Sequence, residues 1–305
     1  VITEVALAFD LGGTRLKSGV VEVGSGAVVF EAAPVDAAPT WADALRQVTA
    51  AARELRGDYP AARAVGMAMP GVLDGGCVRS LPGKLAGAEG TDADTWLRAE
   101  LAVDGAATVV TNDAIAAGVG EAGAGPSRTL VITLGTGVGV CVIEGGRPLG
   151  SGAFGGGILG GQVPLGGALE DARFKDTAGR CGTIEAYCRA DALTTRARLL
   201  GGEREWSDAK AVADAARSGD VLACDALDAY RGDIARAVVA LALAHAPERV
   251  VIGGGVAGVG SPVFDGLEAA VNARLSFGLR VRVEAASLGS RAALAGLGVL
   301  LGAAG

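Results

Sequence analysis

The chain of 305 residues is long for one compact domain and comfortable for two. Its net charge of −7 and the lack of a basic stripe exclude nucleic acid as an expected partner, and its apolar residues are interrupted by charge and glycine too often to span a bilayer. Five widely spaced cysteines (Cys77, Cys141, Cys181, Cys188 and Cys224) without a CxxC pair fit a reducing, cytoplasmic setting, and a single histidine, His245, excludes a site built from several imidazoles. No leader segment is expected.

In chain order, residues 4–10 and 18–24 read as two strands joined by a glycine turn, with 27–33 as a third in an antiparallel meander. Helical periodicity covers 41–57, with Gly57 as its stop. AVGMAMPG (64–71) is a short strand running into a Pro-Gly turn. The stretch 91–101 opens on Thr91 with acids behind it, which favours a helix N-terminus. ATVVTNDA (107–114) is a buried strand ending in two polar residues, and Asp113 to Gly123 is helical. Residues 128–146 repeat the strand, glycine turn, strand theme, and 150–167 form a glycine-dense loop expected to be mobile until a substrate arrives. Helices follow over 183–200, 207–218 and 220–246; then come a strand, a triple-glycine turn and a helix in 247–258, and a last helix over 290–305. The doubled strand–turn–strand theme, near residues 12 and 136, suggests two related α/β halves with a cleft between them.

Fifty glycines, about twice the ~7% usual share, cluster in short turns rather than repeats. In DLGGTRLK (10–17), Gly12 and Gly13 let backbone N–H groups approach a phosphate, Thr14 offers a hydroxyl, Lys17 a charge, and Asp10 can hold a water on Mg²⁺. A simple hairpin turn is the competing reading. LGTGVG (134–139) is a second such turn, in which Gly135, Thr136 and Gly137 can clamp the distal phosphates of a nucleotide. In IGGGVAG (252–258), Gly254 and Gly255 can pass close to an adenine or ribose, although taken alone an ordinary strand-to-helix turn is the preferred reading. The glycine spacing does not fit a dinucleotide fingerprint. Asn112 and Asp113 end a buried strand, where Asp113 can take a proton from an attacking hydroxyl and Asn112 can bond its neighbour. The alternative for Asp113 is a helix N-cap. His245, late in an apolar helix, is read as a partner of the helix dipole.

Taken together and in this order, DLGGT-x-x-K, MPG (69–71) with SLPG (80–83), ND (112–113), LGTGVG and IGGGV resemble the ROK family of sugar kinases, within the actin-like ATPase superfamily, over nearly the whole chain. The resemblance implies a two-lobed α/β fold of ribonuclease H-like type with the ligand cleft between the lobes. The expected division is 1–116 plus 290–305 for the smaller lobe and 117–289 for the larger. It further implies ATP and Mg²⁺ as cofactors, with Asp10 on the metal side, and Asp113 as the base for in-line attack of a primary hydroxyl on the γ-phosphorus. Gly71, Ser80, Asn112, Gln162 and Glu185 are the substrate-binding positions. A homodimer follows from family habit.

The departures are informative. The family commonly has G-E-x-G-H where this chain reads ILGGQ, so Leu159 replaces a sugar-binding Glu and Gln162 replaces a His. The family's CGCGxxGCxE appears here as DTAGRCGTIE (176–185), with Asp176, Ala178 and Thr183 at the cysteine positions and Cys181 out of register. All four zinc ligands are therefore replaced and no structural zinc is expected; an Asp176, Cys181 and Cys188 site is the remote alternative. Glu185 persists. The expected substrate is unlike plain glucose at its C1–C2 side: a rarer hexose, an amino sugar or a cyclitol. An ordinary glucokinase or a non-catalytic sugar- or nucleotide-binding protein of the same fold are the alternatives. A family transcriptional repressor is not expected, since the chain starts directly at the first strand and has no basic region.

Overall fold

The computed structural model describes residues 4–12, 14–81, 84–150, 155–166, 172–201 and 205–304. Val5–Leu11 (β1) and Arg15–Glu22 (β2) pair antiparallel, with Asp10 opposite Lys17. Val28–Glu31 (β3) and Val35–Asp36 (β4) both add to β2. Trp41–Asp58 (α1) is capped by the Thr40 hydroxyl and buries Trp41, Ala44, Val48, Ala52 and Leu55, a stripe at three- and four-residue spacing. Gly57 does not stop this helix, contrary to the sequence reading. It ends at Asp58 because Pro60 disfavours helical dihedrals at Tyr59.

Ala64–Met69 (β5) is buried throughout, and Val72–Asp74 (β6) and Cys77–Ser80 (β7) form a hairpin that the sequence reading lacks. Gly75 and Gly76, at φ +56° and +87°, make its two-residue turn. Ala93–Glu100 (α2) is capped by Asp92 rather than Thr91, whose hydroxyl donates to the Ala88 carbonyl instead. Thr108–Asn112 (β8) passes directly into Asp113–Ala122 (α3).

Thr129–Leu134 (β9), Val138–Glu144 (β10) and Arg147–Pro148 (β11) follow. A 3₁₀ helix over Gly155–Gln162 lies where the sequence reads only a loop. The stretch read as one helix over 183–200 is two, Ile184–Cys188 (α4) and Ala190–Gly201 (α5). The break at Arg189 has ψ 159°, and the Ala190 N–H leaves the helical ladder to donate to the Gly135 carbonyl. Ala209–Arg217 (α6), Val221–His245 (α7) and Arg249–Gly253 (β12) come next. Beyond β12 the expected helix is only a 3₁₀ turn, Ala257–Val259, ahead of Ser261–Phe264 (α8) and Leu267–Asn272 (α9). Arg282–Ala285 (β13) and Ala292–Ala304 (α10) are last. Among the described residues no helix is long and apolar enough to cross a membrane.

The chain folds as two compact α/β units. The first comprises Val1–Pro126, Ile143–Gly157 and Ser290–Gly305. Its sheet runs β3-β2-β1-β5-β8, with β1, β5 and β8 mutually parallel. The two faces of β1 differ in size. Leu7, Phe9 and Leu11 join the core under α1 and α2, while Ala6 and Ala8 face the core shared with α3 and α10. Small residues carry on into those helices. A Cβ on Gly120 would lie 2.0 Å from the Ala292 carbonyl oxygen, and one on Gly296 1.8 Å from that of Ala116, so α3 and α10 touch through backbone.

The second unit comprises Ser127–Val142 and Ile158–Gly289. Its sheet repeats the first: β10-β9-β12-β13 has the order of β2-β1-β5-β8, a hairpin followed by two parallel strands. The expected internal relation of the two glycine turns is thus visible in topology. The long helix α7 is packed against α4, α5, α6 and α9. Its Asp233 pairs with the buried Arg196, whose guanidinium lies 4.6 Å from the Phe174 ring centre. The last α7 residue, His245, lends its carbonyl to Arg128.

Candidate active site

In the first unit, β1, β5 and β8 end side by side, and the polar residues follow from that. Asp10 is paired with Ala68 on β5 and Met69 with Asn112 on β8, so the Asp10 end of β1 and the Asn112–Asp113 end of β8 flank the same strand terminus. Asp10 is 5% exposed, and its Oδ2 accepts from Lys17 Nζ at 2.8 Å. Lys17 is thus held by Asp10 through the β1–β2 register. Gly12 donates its N–H to the Arg15 carbonyl at 2.9 Å and closes the turn; Thr14 is exposed beside it. Gly13 lies outside the described residues, as do Pro82 and Gly83 of SLPG.

Asn112 and Asp113 divide two roles. The α3 cap belongs to Asn112, whose Oδ1 accepts from Ala114 N–H at 2.8 Å and Ile115 N–H at 3.3 Å. Its amide group donates to the Gly71 carbonyl at 2.8 Å. Gly71 sits at φ +101°, and a Cβ there would lie 2.6 Å from the Ser80 carbonyl oxygen, so this turn accepts only glycine. Ser80 itself is exposed at the end of β7. The cap role considered for Asp113 therefore goes to its neighbour, and Asp113 is the first helical residue, with its Oδ1 2.9 Å from the Ala114 N–H. Burial pushes the Asp113 carboxyl above its ordinary value, and the charge of Asp10 adds to the rise; the Ala114 N–H and the Lys84 ammonium oppose it. Lys84 is a contributor that motif reading missed. Its only signal is a cation just beyond SLPG. It lines a cavity of about 590 Å³ together with Leu81, Leu85 and Glu89, and Glu89 fixes that stretch by accepting from the Leu81 N–H at 2.6 Å.

In the second unit the turn Gly135–Gly137 closes with Gly135 N–H donating to the Gly137 carbonyl at 2.9 Å. Thr136 is exposed at its tip, and beyond the two adjoining residues no atom of the described residues lies within 4 Å of where a Gly135 Cβ would stand. The triple-glycine turn packs behind it. Gly254 has φ +83° and a Cβ there would be 2.4 Å from the Leu134 carbonyl oxygen, to which Val256 N–H donates at 3.1 Å; Gly255 is exposed. Backbone pairing joins Leu165 to Gly182 and Ile184 to Val163, which lays the Gln162 segment alongside the Glu185 segment. Gln162 Oε1 is buried without a donor among the described residues, while Leu159 is exposed. Glu185 is 4% exposed and bonded to Thr177 and Val138, a partnership that motif reading did not foresee.

Among the described residues no three His, Cys, Asp or Glu side chains are grouped to hold a metal ion. Asp176 accepts from protein N–H and O–H groups, and none of the five cysteines is joined in a disulfide. Burial raises the thiols of Cys141 and Cys188 to about 12, which makes both inert at neutral pH.

Known proteins are similar to this chain over most of its length. A glucokinase of Thermotoga maritima is 30% identical over 286 residues, covering 85% of this chain and 84% of its own. A kanosamine kinase of Amycolatopsis mediterranei is 31% identical over 263 residues, covering 84% and 82%. The crystal structure of a ROK family glucokinase from Streptomyces griseus, in complex with glucose and AMPPNP, superposes with a TM-score of 0.75 at 26% identity over 97% of this chain and 98% of that one. The ROK family profile matches residues 6–303, from the second residue of β1 almost to the end of α10, and the chain belongs to the ROK family.

Proposed function

We propose that the protein is an ATP-dependent sugar kinase in which Asp113 takes the proton of an acceptor hydroxyl as it attacks the γ-phosphorus. The observation that carries this reading is the division of labour at the head of α3. Asn112 caps the helix, so the Asp113 carboxylate is available for proton transfer, and burial together with Asp10 makes it a stronger base than an ordinary aspartate. The turns at 12 and at 135–137 are short glycine turns of the kind whose backbone holds phosphates; the Gly12 and Gly135 N–H groups close the turns themselves, and the space before Gly135 is open to a ligand. Such transfer needs positioning and charge stabilisation more than covalent chemistry.

Mg²⁺ fits Asp10. This ion keeps most of its water and asks for one or two carboxylates beside the nucleotide's phosphates. Among the described residues Lys17 is the side chain bonded to Asp10, through one oxygen, which leaves the other for a metal-bound water. The ion would neutralise charge on the phosphates; orienting and deprotonating the acceptor rest with Asn112 and Asp113.

The acceptor is a sugar-like ring, and Leu159 and Gln162, which stand where the family pattern has Glu and His, support a ring that differs from glucose in its polar contacts. The Gln162 Oε1 is buried with no protein donor among the described residues, so it can accept from a hydroxyl or ammonium of the ring. One relative is a glucokinase and another a kanosamine kinase, so both a plain hexose and an amino sugar belong in the test. The experiment is coupled ADP release with ATP and Mg²⁺ against hexoses, amino sugars and cyclitols, with Asp113→Asn as control. A rate that depends on one acceptor class and is lost in the variant is expected. ATP binding without transfer to any acceptor would overturn the kinase reading.

A further inference from the structure

The family resemblance makes Glu185 a substrate ligand, yet its carboxylate is engaged inside the protein. Oε1 accepts from both the N–H and the hydroxyl of Thr177, each at 2.6 Å, and Oε2 accepts from the Val138 N–H at 3.0 Å. A carboxylate has about four acceptor positions, so most are occupied. Val138 is the residue that follows the phosphate turn. Within the turn itself, a Cβ on Gly137 would lie 3.0 Å from Glu185 Oε2. The carboxylate is therefore wedged against the turn on one side and tied to Thr177 on the other.

Thr177 is held in turn by its neighbour. Asp176 is 3% exposed, and among the described residues the four hydrogen bonds its carboxylate accepts all close the 176–183 loop. Oδ1 accepts from Ala178 N–H at 2.9 Å and Arg180 N–H at 2.8 Å; Oδ2 accepts from Arg180 Nε at 3.1 Å and the Thr183 hydroxyl at 3.3 Å. Thr183 also caps α4, the helix that carries Glu185. One buried carboxylate thus fixes both the donor and the acceptor ends of the Thr177–Glu185 contact.

We propose that Asp176 and Thr177, acting through Glu185, are positioning residues for the phosphate turn Gly135–Gly137, and that nucleotide affinity depends on this relay. The inference rests on the kinase reading above for the identity of the turn's ligand. A backbone turn binds phosphate only if its N–H groups are held in one orientation, and charged hydrogen bonds to a buried carboxylate supply that rigidity.

The test is calorimetry with AMPPNP and Mg²⁺ in the absence of any sugar, together with amide exchange at Val138. Thr177→Val removes one donor and keeps the backbone, so it avoids the risk that Asp176→Asn disturbs folding. Thr177→Val is expected to weaken AMPPNP about tenfold and to speed Val138 exchange, while Thr177→Ser restores both to within about twofold. Asp176→Asn, where it folds, behaves like Thr177→Val. Unchanged nucleotide affinity in Thr177→Val, with wild-type binding intact, overturns the relay and leaves the kinase reading standing. Absence of AMPPNP binding by the wild type overturns both.

Discussion

An aspartate that begins a helix usually stabilises the helix through its dipole. Asp113 holds that place, yet burial and the nearby Asp10 outweigh the benefit and raise its pKa. The sign for stability follows from linkage. Unfolded, the group titrates at about 3.9. Folded, it titrates higher, so the native state binds more protons in the window between the two values, and stability falls as pH rises through that window. Above it the cost is constant. Asp113→Asn is therefore expected to raise the melting temperature at pH 7–8, with the gain disappearing below about pH 4. The same substitution is expected to lower kcat by about 10²–10⁴-fold. The wild-type kcat/KM should fall on the acid side at a pH above the usual aspartate range. Melting curves and pH–rate profiles of the two proteins check these points. A variant that lost activity but was also less stable at neutral pH would mark Asp113 as a structural residue.

At the scale of elements, α3 and α10 cross so closely that no side chain separates them at Gly120 and Gly296. The contact lies between a Cβ and a backbone carbonyl, so neither helix can yield by rotating a side chain. Gly296→Ala would gain helix propensity in an isolated peptide, by up to about 1 kcal/mol. In the protein it is expected to cost more than this gain, about 1–3 kcal/mol net, because the helices must move apart. Urea unfolding of this variant, beside an Ala substitution at the unobstructed Gly57, separates packing from propensity. Such crossings explain which elements were legible in the sequence. The strands β1, β9 and β10 and the helices α1, α7 and α10 are found close to where the sequence reading puts them, whereas β2 begins at Arg15, three residues ahead of the expected 18, because its pairing with β1 continues up to the turn. The β6–β7 hairpin and β13 are too short for a pattern to rise above their surroundings. The split between α4 and α5 depends on a hydrogen bond from Ala190 to Gly135, 55 positions earlier by residue number, and no local signal carries that. The site divides in the same way. Asp10, the glycine turns and Asn112–Asp113 announce themselves by motif. Lys84, whose charge acts on Asp113, and Thr177 with Val138 around Glu185, become visible only once the chain is folded.

At the scale of the molecule, the same strand order appears in both units, and each places a glycine turn between the first two strands of its sheet. Within the second unit, the glycines of the two turns beside β9 do not have like tolerance. Gly254 has a left-handed backbone and a carbonyl oxygen 2.4 Å from its absent Cβ, so Gly254→Ala strains the fold itself. Gly135 has neither constraint: nothing lies within 4 Å of its Cβ direction, and its φ is one that alanine adopts. Gly135→Ala is accordingly expected to fold with stability within about 0.5 kcal/mol of the wild type. Ligand linkage then exposes its role. A nucleotide at a hundredfold excess over its Kd stabilises the wild type by about 2.7 kcal/mol. If the space before Gly135 belongs to phosphate, the added methyl group intrudes only when nucleotide arrives. The thermal shift produced by AMPPNP and Mg²⁺ should then shrink or vanish in Gly135→Ala, although the unliganded melting temperatures match. A full shift in the variant would mean that the open space before Gly135 is not where phosphate lies, and would move the nucleotide away from this turn.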